Sequence, residues 1–156
     1  MNLRLRLPPV LVVALCGGLM WVLDQAAPLA RLVAPPVTRV GWLLVLLGLC
    51  IAAAAIVQFR RARTTVDPTR PAKASALVQS GIFGYSRNPM YLGMGVVLCG
   101  WATLLGSLSP WFVVPLFVVL LTWLQIRPEE AVLTTLFGPA YSEYCVRVGR
   151  WFGRRS

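Results

Sequence analysis

Two short stretches hold most of the residues with chemical capability in this 156-residue chain. The first is Glu129-Glu130, two of only five acidic residues. Adjacent carboxylates repel, so a cation is expected beside them. On their own they also suit the first turn of a helix, where negative charge complements the macrodipole. The second stretch runs from Gly81 to Gly93 and reads Gly-Ile-Phe-Gly-Tyr-Ser-Arg-Asn-Pro-Met-Tyr-Leu-Gly. In it Arg87 precedes a helix opened by Pro89, whose missing N–H costs nothing at that position. A helix start offers free N–H groups and partial positive charge. Together with Arg87 it suits a carboxylate or a phosphate. Gly93 leaves room for a second backbone or a flat ligand. The structural reading of the same residues is membrane anchoring by Arg87, an interfacial Tyr91 and close helix packing at the glycines. Topology puts Arg87 and the glutamates at the same end of neighbouring helices. One cleft there would combine an arginine, two carboxylates and tyrosines, and would suit a zwitterion that carries a second cation. Tyr91 or Tyr141 would face that cation, a contact worth about 0.5–2 kcal/mol.

The elements that must position these residues are membrane helices. The chain is 58% hydrophobic and 13% charged, with a mean hydropathy of +0.72. Soluble domains are nearer 45–50% apolar and 25% charged. Four apolar runs predict helices over about 8–30, 37–59, 88–107 and 110–126. A cytoplasmic loop over 60–87 and a C-terminal segment over 127–156 complete a single domain. The fold class is all-α: an integral membrane bundle of about four transmembrane helices with cytoplasmic C-terminal amphipathic helices. Pro35-Pro36 marks a tight turn. The third and fourth helices form an antiparallel hairpin. Glu129–Phe137 reads as a helix, Gly138-Pro139 breaks it, and Ala140–Val148 reads as another. In that last piece Tyr141, Tyr144, Cys145 and Val148 share one face, lying on the membrane or under the bundle.

The net charge is +10, but its distribution speaks against nucleic acid. All Lys and Arg except Arg31 and Arg39 precede the first run, separate the second from the third, or follow the fourth. That is the positive-inside pattern with both termini cytoplasmic. The basic N-terminus and its apolar run read as a retained first helix, because cleavage would strip the other runs of a partner. The absence of histidine excludes histidine-ligated metal and a histidine base. Cys16, Cys50, Cys99 and Cys145 form no CxxC pair, so no metal is expected and small-residue packing is the reading.

Four blocks in order carry a resemblance. They are Leu77–Phe83, Arg87-Asn-Pro-Met-Tyr-Leu-Gly93, Glu129-Glu130-Ala-Val-Leu133, and Phe137-Gly-Pro-Ala-Tyr141-Ser-Glu-Tyr144 followed by Val148-Gly-Arg150-Trp151. Over about residues 70–151 the chain resembles the isoprenylcysteine carboxyl methyltransferase and phospholipid methyltransferase superfamily. The resemblance implies S-adenosyl-L-methionine as methyl donor at the cytoplasmic end of the bundle. It places cofactor contacts on Leu77, Val78, Phe83, Asn88, Pro89, Met90, Tyr91 and the glutamate pair. A substrate-side arginine of the family maps to Arg127, so Arg127, Glu129 and Glu130 are the catalytic candidates. Arg87, Gly93 and Tyr141 join the cofactor residues from the reading of the cleft. One departure is Asn88, where many relatives carry histidine. An amide hydrogen-bonds but cannot act as a base. A carboxylate acceptor needs none, whereas an amine or thiol would lose its proton to a glutamate or to water. The expected partners are membrane lipid and a lipophilic or amphipathic acceptor entering from the bilayer.

Two other readings compete. A sterol-type membrane reductase would bind NADPH in a similar pocket, but the short loops leave little room for its phosphates. A non-enzymatic membrane protein, a transporter subunit or an assembly factor, would tolerate changes at Arg87 and Glu130. The lack of charge deep in the spans, Asp24 near one end excepted, argues against an ion path.

Overall fold

The computed structural model describes residues 8–31, 35–62 and 76–153. Several expectations therefore lie outside the described residues: Arg4, Arg6, Arg63, Arg70, Lys73, Arg154, Arg155 and the prolines of the loop over 60–87. The described residues form an all-α membrane bundle. Helix α1 spans Pro9–Ala26, α2 Pro35–Arg61, α3 Pro89–Leu105, α4 Val113–Leu121 and α5 Arg127–Arg147. Three helical stretches are long and apolar enough to cross a membrane: Pro9–Ala26, Arg39–Arg61 and Ser109–Arg147. Helix α3 is shorter. Its 17 residues rise about 25 Å, somewhat less than the ~30 Å hydrocarbon core.

Helix boundaries differ from the sequence expectation where proline and glycine act. Helix α1 ends at Ala26, not near Ala30, because Pro28 forces Ala27 out of the helical region, to φ −146°, ψ 60°. Helix α2 starts at Pro35, so the two prolines open the helix and do not form a separate turn. Helix α3 stops at Gly106, which takes the left-handed conformation at φ 81°.

The largest correction concerns the fourth helix, which does not stop at Ile126. A 3₁₀ turn over Ser109–Phe112 leads into α4, and a π turn over Thr122–Ile126 joins α4 to α5. The Arg127 N–H bonds to the Thr122 carbonyl across the widened turn. Pro128 follows, with no N–H to give to the preceding turn, and the π turn absorbs that loss. The uninterrupted apolar part ends at Ile126; beyond it the helix carries Arg127, Glu129 and Glu130. The expected break at Gly138 survives as a kink at φ 50°, ψ −124°, followed by Pro139.

Lipid tails are as apolar as leucine, so helices gain little from burying apolar surface against each other and depend on close packing. Helix α3 provides it on two sides. One face joins α1 and α4 in the core, with Met20, Leu98, Ala102, Phe117 and Leu121 buried. The Trp101 indole N–H ties this face to the Gly17 carbonyl of α1 at 3.1 Å. The opposite face lies against α2, backbone to backbone. A Cβ added at Gly48 would sit 2.5 Å from the Gly93 carbonyl oxygen, and one at Gly100 would sit 2.7 Å from the Val45 nitrogen.

The two ends of the bundle differ. At one end Asp24 is buried and accepts from the Ser107 hydroxyl at 2.6 Å. Nearby, Leu29 and Leu108 or Ser109 exchange hydrogen bonds that pin the end of α1 to the α3–α4 turn. The other end gathers the last turn of α2, the start of α3, α5 and the chain termini of the candidate blocks. Cys50 is exposed on α2 rather than packed inside.

Because backbone atoms leave no room at Gly48, Gly48→Ala will force α2 from α3. The expected loss is about 1–3 kcal/mol, whereas Gly18→Ala, with nothing within 4 Å, will be near neutral. Thermal unfolding of the two variants in the same detergent checks this.

Candidate active site

The chemistry-bearing residues arrive at one end of the bundle from three segments. The 77–88 segment folds into a 3₁₀ turn over Gly81–Gly84 and then enters α3. Helix α5 carries the glutamates in its first turn and the tyrosines beyond the kink. The 148–153 segment returns as a strap across both. Backbone bonds fasten it: Arg87 N to Gly149 O at 3.0 Å, Gly149 N to Gly153 O at 2.7 Å, and Gly153 N to Tyr85 O at 2.9 Å. Gly149 is required here, since a Cβ would lie 2.4 Å from the Phe152 carbonyl oxygen. Trp151 inserts against the core and donates to the Thr122 hydroxyl at 3.2 Å, on the π turn.

Glu130 is the hub. Its Oε1 lies 2.9 Å from Arg87 Nη1. Arg150 grips it in bidentate fashion, with Nε to Oε1 at 2.9 Å and Nη2 to Oε2 at 2.7 Å. These bonds raise the pKa of the Arg150 guanidinium further. Arg87 Nη1 also donates to Cys145 Sγ at 2.6 Å and to the Tyr141 hydroxyl at 3.4 Å. Its Nε, by contrast, is buried and meets no acceptor among the described residues. Glu129 points elsewhere and accepts from the Tyr91 hydroxyl at 2.5 Å. Burial pushes its carboxyl up to about 8; the Tyr91 hydrogen bond opposes the rise and the Glu130 charge adds to it.

The candidate residues thus divide. Arg87, Tyr91, Glu129, Glu130 and Tyr141 come together. Asn88 turns its amide to the Arg150 carbonyl at 3.0 Å and helps hold the strap. Pro89 is buried at the first turn of α3, and Met90 packs on the core. Phe83 is buried, its carbonyl accepting from the Tyr144 hydroxyl at 2.7 Å and its ring meeting Phe59 at 4.8 Å. Leu77 packs against Tyr141, Tyr144 and Val148, so that face lies beneath the 77–88 segment rather than on the membrane. Val78 is half-buried in the same segment. Two candidates stand apart. Gly93 faces α2, where Gly48 and Ala52 fill the space beside it. Arg127 is exposed and stacks on Trp123, 3.6 Å from the ring centroid, and among the described residues it forms none of the ion pairs of the glutamate hub.

Sequence reasoning misses Arg150 and Cys145 as members of the cluster. Arg150 had a signal, its place in the Val148–Trp151 block. Cys145 shared the face of Tyr141 and Tyr144, but nothing local pointed its sulfur at an arginine.

The family profile described as phospholipid methyltransferase matches residues 37–140. A protein-S-isoprenylcysteine O-methyltransferase of Schizosaccharomyces pombe is 32% identical over 106 residues, which is 65% of this chain and 43% of that protein. One of the same description from Saccharomyces cerevisiae is 32% identical over 114 residues, 72% of this chain and 47% of that protein. A mouse Delta(14)-sterol reductase is 38% identical over 74 residues, 46% of this chain and 18% of that protein. The chain spans less than half the length of these curated relatives. No solved structure gives a significant match.

Glu130→Gln will leave Arg87 and Arg150 without their shared counter-charge and free the strap. The expected effect is a loss of about 1–3 kcal/mol, below the cost at a fully buried pair because Arg150 is partly exposed. Trypsin should then cut after Arg150 several-fold faster than in the parent protein, while the bundle stays intact.

Proposed function

The chain belongs to the phospholipid methyltransferase family, and on that premise we propose that it is an S-adenosylmethionine-dependent methyltransferase acting on a lipophilic or amphipathic acceptor at a membrane face. The whole chain is one membrane domain in this reading, with four spans and both termini cytoplasmic. The observation that carries the proposal is the buried Arg87 Nε without an acceptor, beside a carboxylate hub and at the start of α3. A buried donor left unpaired costs about 1–3 kcal/mol, so its persistence fits a ligand that supplies the acceptor. The methionine carboxylate is such a group. Two further features suit a donor with both signs of charge: the first-turn N–H groups of α3, which have no acceptor within the helix, and the carboxyl groups of Glu129 and Glu130 beside them.

When bound, S-adenosylmethionine supplies an already activated methyl group. The chain's task is to hold it in line with the acceptor and keep water out, work worth roughly 7–11 kcal/mol of barrier. Arg87 fixes the amino-acid end. Arg150 and Arg87 hold Glu130 in place, and the strap over the start of α3 limits water entry. The Tyr91 hydroxyl holds Glu129 in one orientation. Glu129, its carboxyl pushed up to about 8 by burial, is the group that accepts a proton from an amine or thiol acceptor, and it becomes available as a base as pH rises toward that value. A carboxylate acceptor would not use it. Arg127, exposed beyond the apolar span with Trp123 beneath it, is placed for the acceptor's polar head.

The partial likeness to a sterol reductase supports one competing ligand, NADPH. Calorimetric titration of S-adenosylmethionine, and separately of NADPH, into the detergent-purified chain decides between them. We expect saturable binding of the methyl donor, weakened roughly 10- to 100-fold in Arg87→Ala and Glu130→Ala, with both variants monodisperse. Binding of NADPH alone would overturn the proposal, as would wild-type affinity in both variants.

A further inference from the structure

The last turn of α2 carries Gln58, whose side-chain oxygen is buried and has no hydrogen-bond partner among the described residues. Buried polar groups are rarely left so, and each calls for an explanation. The amide is also clamped. The 3₁₀ turn over Gly81–Gly84 closes on it, and Gly81 takes φ 58°. A Cβ there would sit 1.6 Å from Gln58 Nε2. The turn therefore packs tightly on the Nε2 side of the amide.

The same turn connects this amide to the ionic cluster. The Phe83 ring meets Phe59, the neighbour of Gln58, and its carbonyl accepts from Tyr144. Tyr144 packs with Tyr141, whose hydroxyl lies 3.4 Å from Arg87. The segment leading to Arg87 carries apolar Leu77 and Phe83, both packed beside aromatic side chains, and the Gln58 amide lies against its turn. An adenine base would suit that set of groups. It presents flat apolar faces and an edge whose exocyclic amino group donates, the pattern that glutamine reads in base recognition.

We propose that Gln58 reads the amino edge of the adenine of the methyl donor and selects it over other bases. The inference rests on the methyltransferase reading above. A 6-oxo base would set its oxygen against the Gln58 Oε1, the amide edge that is not packed on the turn.

The test uses the full chain in detergent and calorimetric binding of S-adenosyl-L-homocysteine against its 6-oxo analogue, S-inosyl-L-homocysteine. The parent protein should prefer the adenine compound by about 10- to 100-fold. Gln58→Met, which removes the orphan oxygen at similar volume, should bind both with near-equal affinity. Gln58→Glu, which keeps an acceptor at that atom, should retain the preference. Equal binding of the two compounds by the parent protein overturns the inference, whatever the variants do. So does a preference that survives in Gln58→Met, or in Gln58→Leu if the methionine variant does not fold. Failure of the parent protein to bind either compound overturns the methyl-donor reading itself, which separates the two conclusions.

Discussion

The carboxylate of Glu130, shared between Arg87 and Arg150, is the interaction on which this end of the molecule depends. Three segments far apart in the chain would otherwise meet only as loops. Arg87 brings the start of α3, Glu130 brings α5, and Arg150 brings the C-terminal strap. Two cations on one largely buried carboxylate leave excess positive charge where an anionic ligand group would be welcome. The buried Arg87 Nε gives that excess a direction.

Neutral features of the backbone set the stage for this charge cluster. Helix α3 is clasped on one side by glycine contacts with α2 and on the other by the α1–α4 core. In lipid such contacts count for more than apolar area, because the solvent is itself apolar. The start of α3 is therefore held in position, and with it Arg87 and Tyr91. The π turn over Thr122–Ile126 does the same for α5. It changes the register of the long helix just before Glu129 and Glu130, and π turns of this kind recur at functional sites. Its Thr122 also receives Trp151, so the element that aims the glutamates also anchors the strap.

Much of the fold was legible from composition and from the spacing of apolar runs. The all-α membrane class follows from both, and the helix ends near Gly106 and the kink at Gly138 follow from glycine and proline chemistry. The joining of the fourth helix to α5 was not legible. Arg127-Pro128 reads locally as a stop, and only the widened turn before it lets the helix continue. The site was half legible. Arg87, Tyr91, Glu129, Glu130 and Tyr141 stood out by type and block, while Gly93 and Arg127 were drawn in by the same logic and lie elsewhere. Gly93 illustrates why. A glycine marks close approach, but the sequence cannot say whether a ligand or a helix approaches, and here it is α2.

What the residues alone determined is the kind of molecule: a membrane bundle with four ordered blocks of a methyltransferase family. These are properties of composition, periodicity and local spacing, and they survive without any knowledge of packing. What only the tertiary structure decided is which charges share a partner. Arg150, Cys145 and Gln58 gained meaning only once the strap and the Gly81–Gly84 turn were in place. The reason is physical: an ion pair or an orphaned acceptor is defined by distances of about 3 Å. Such distances between residues 20 to 60 apart in sequence are set by how helices pack, not by what their neighbours in the chain are.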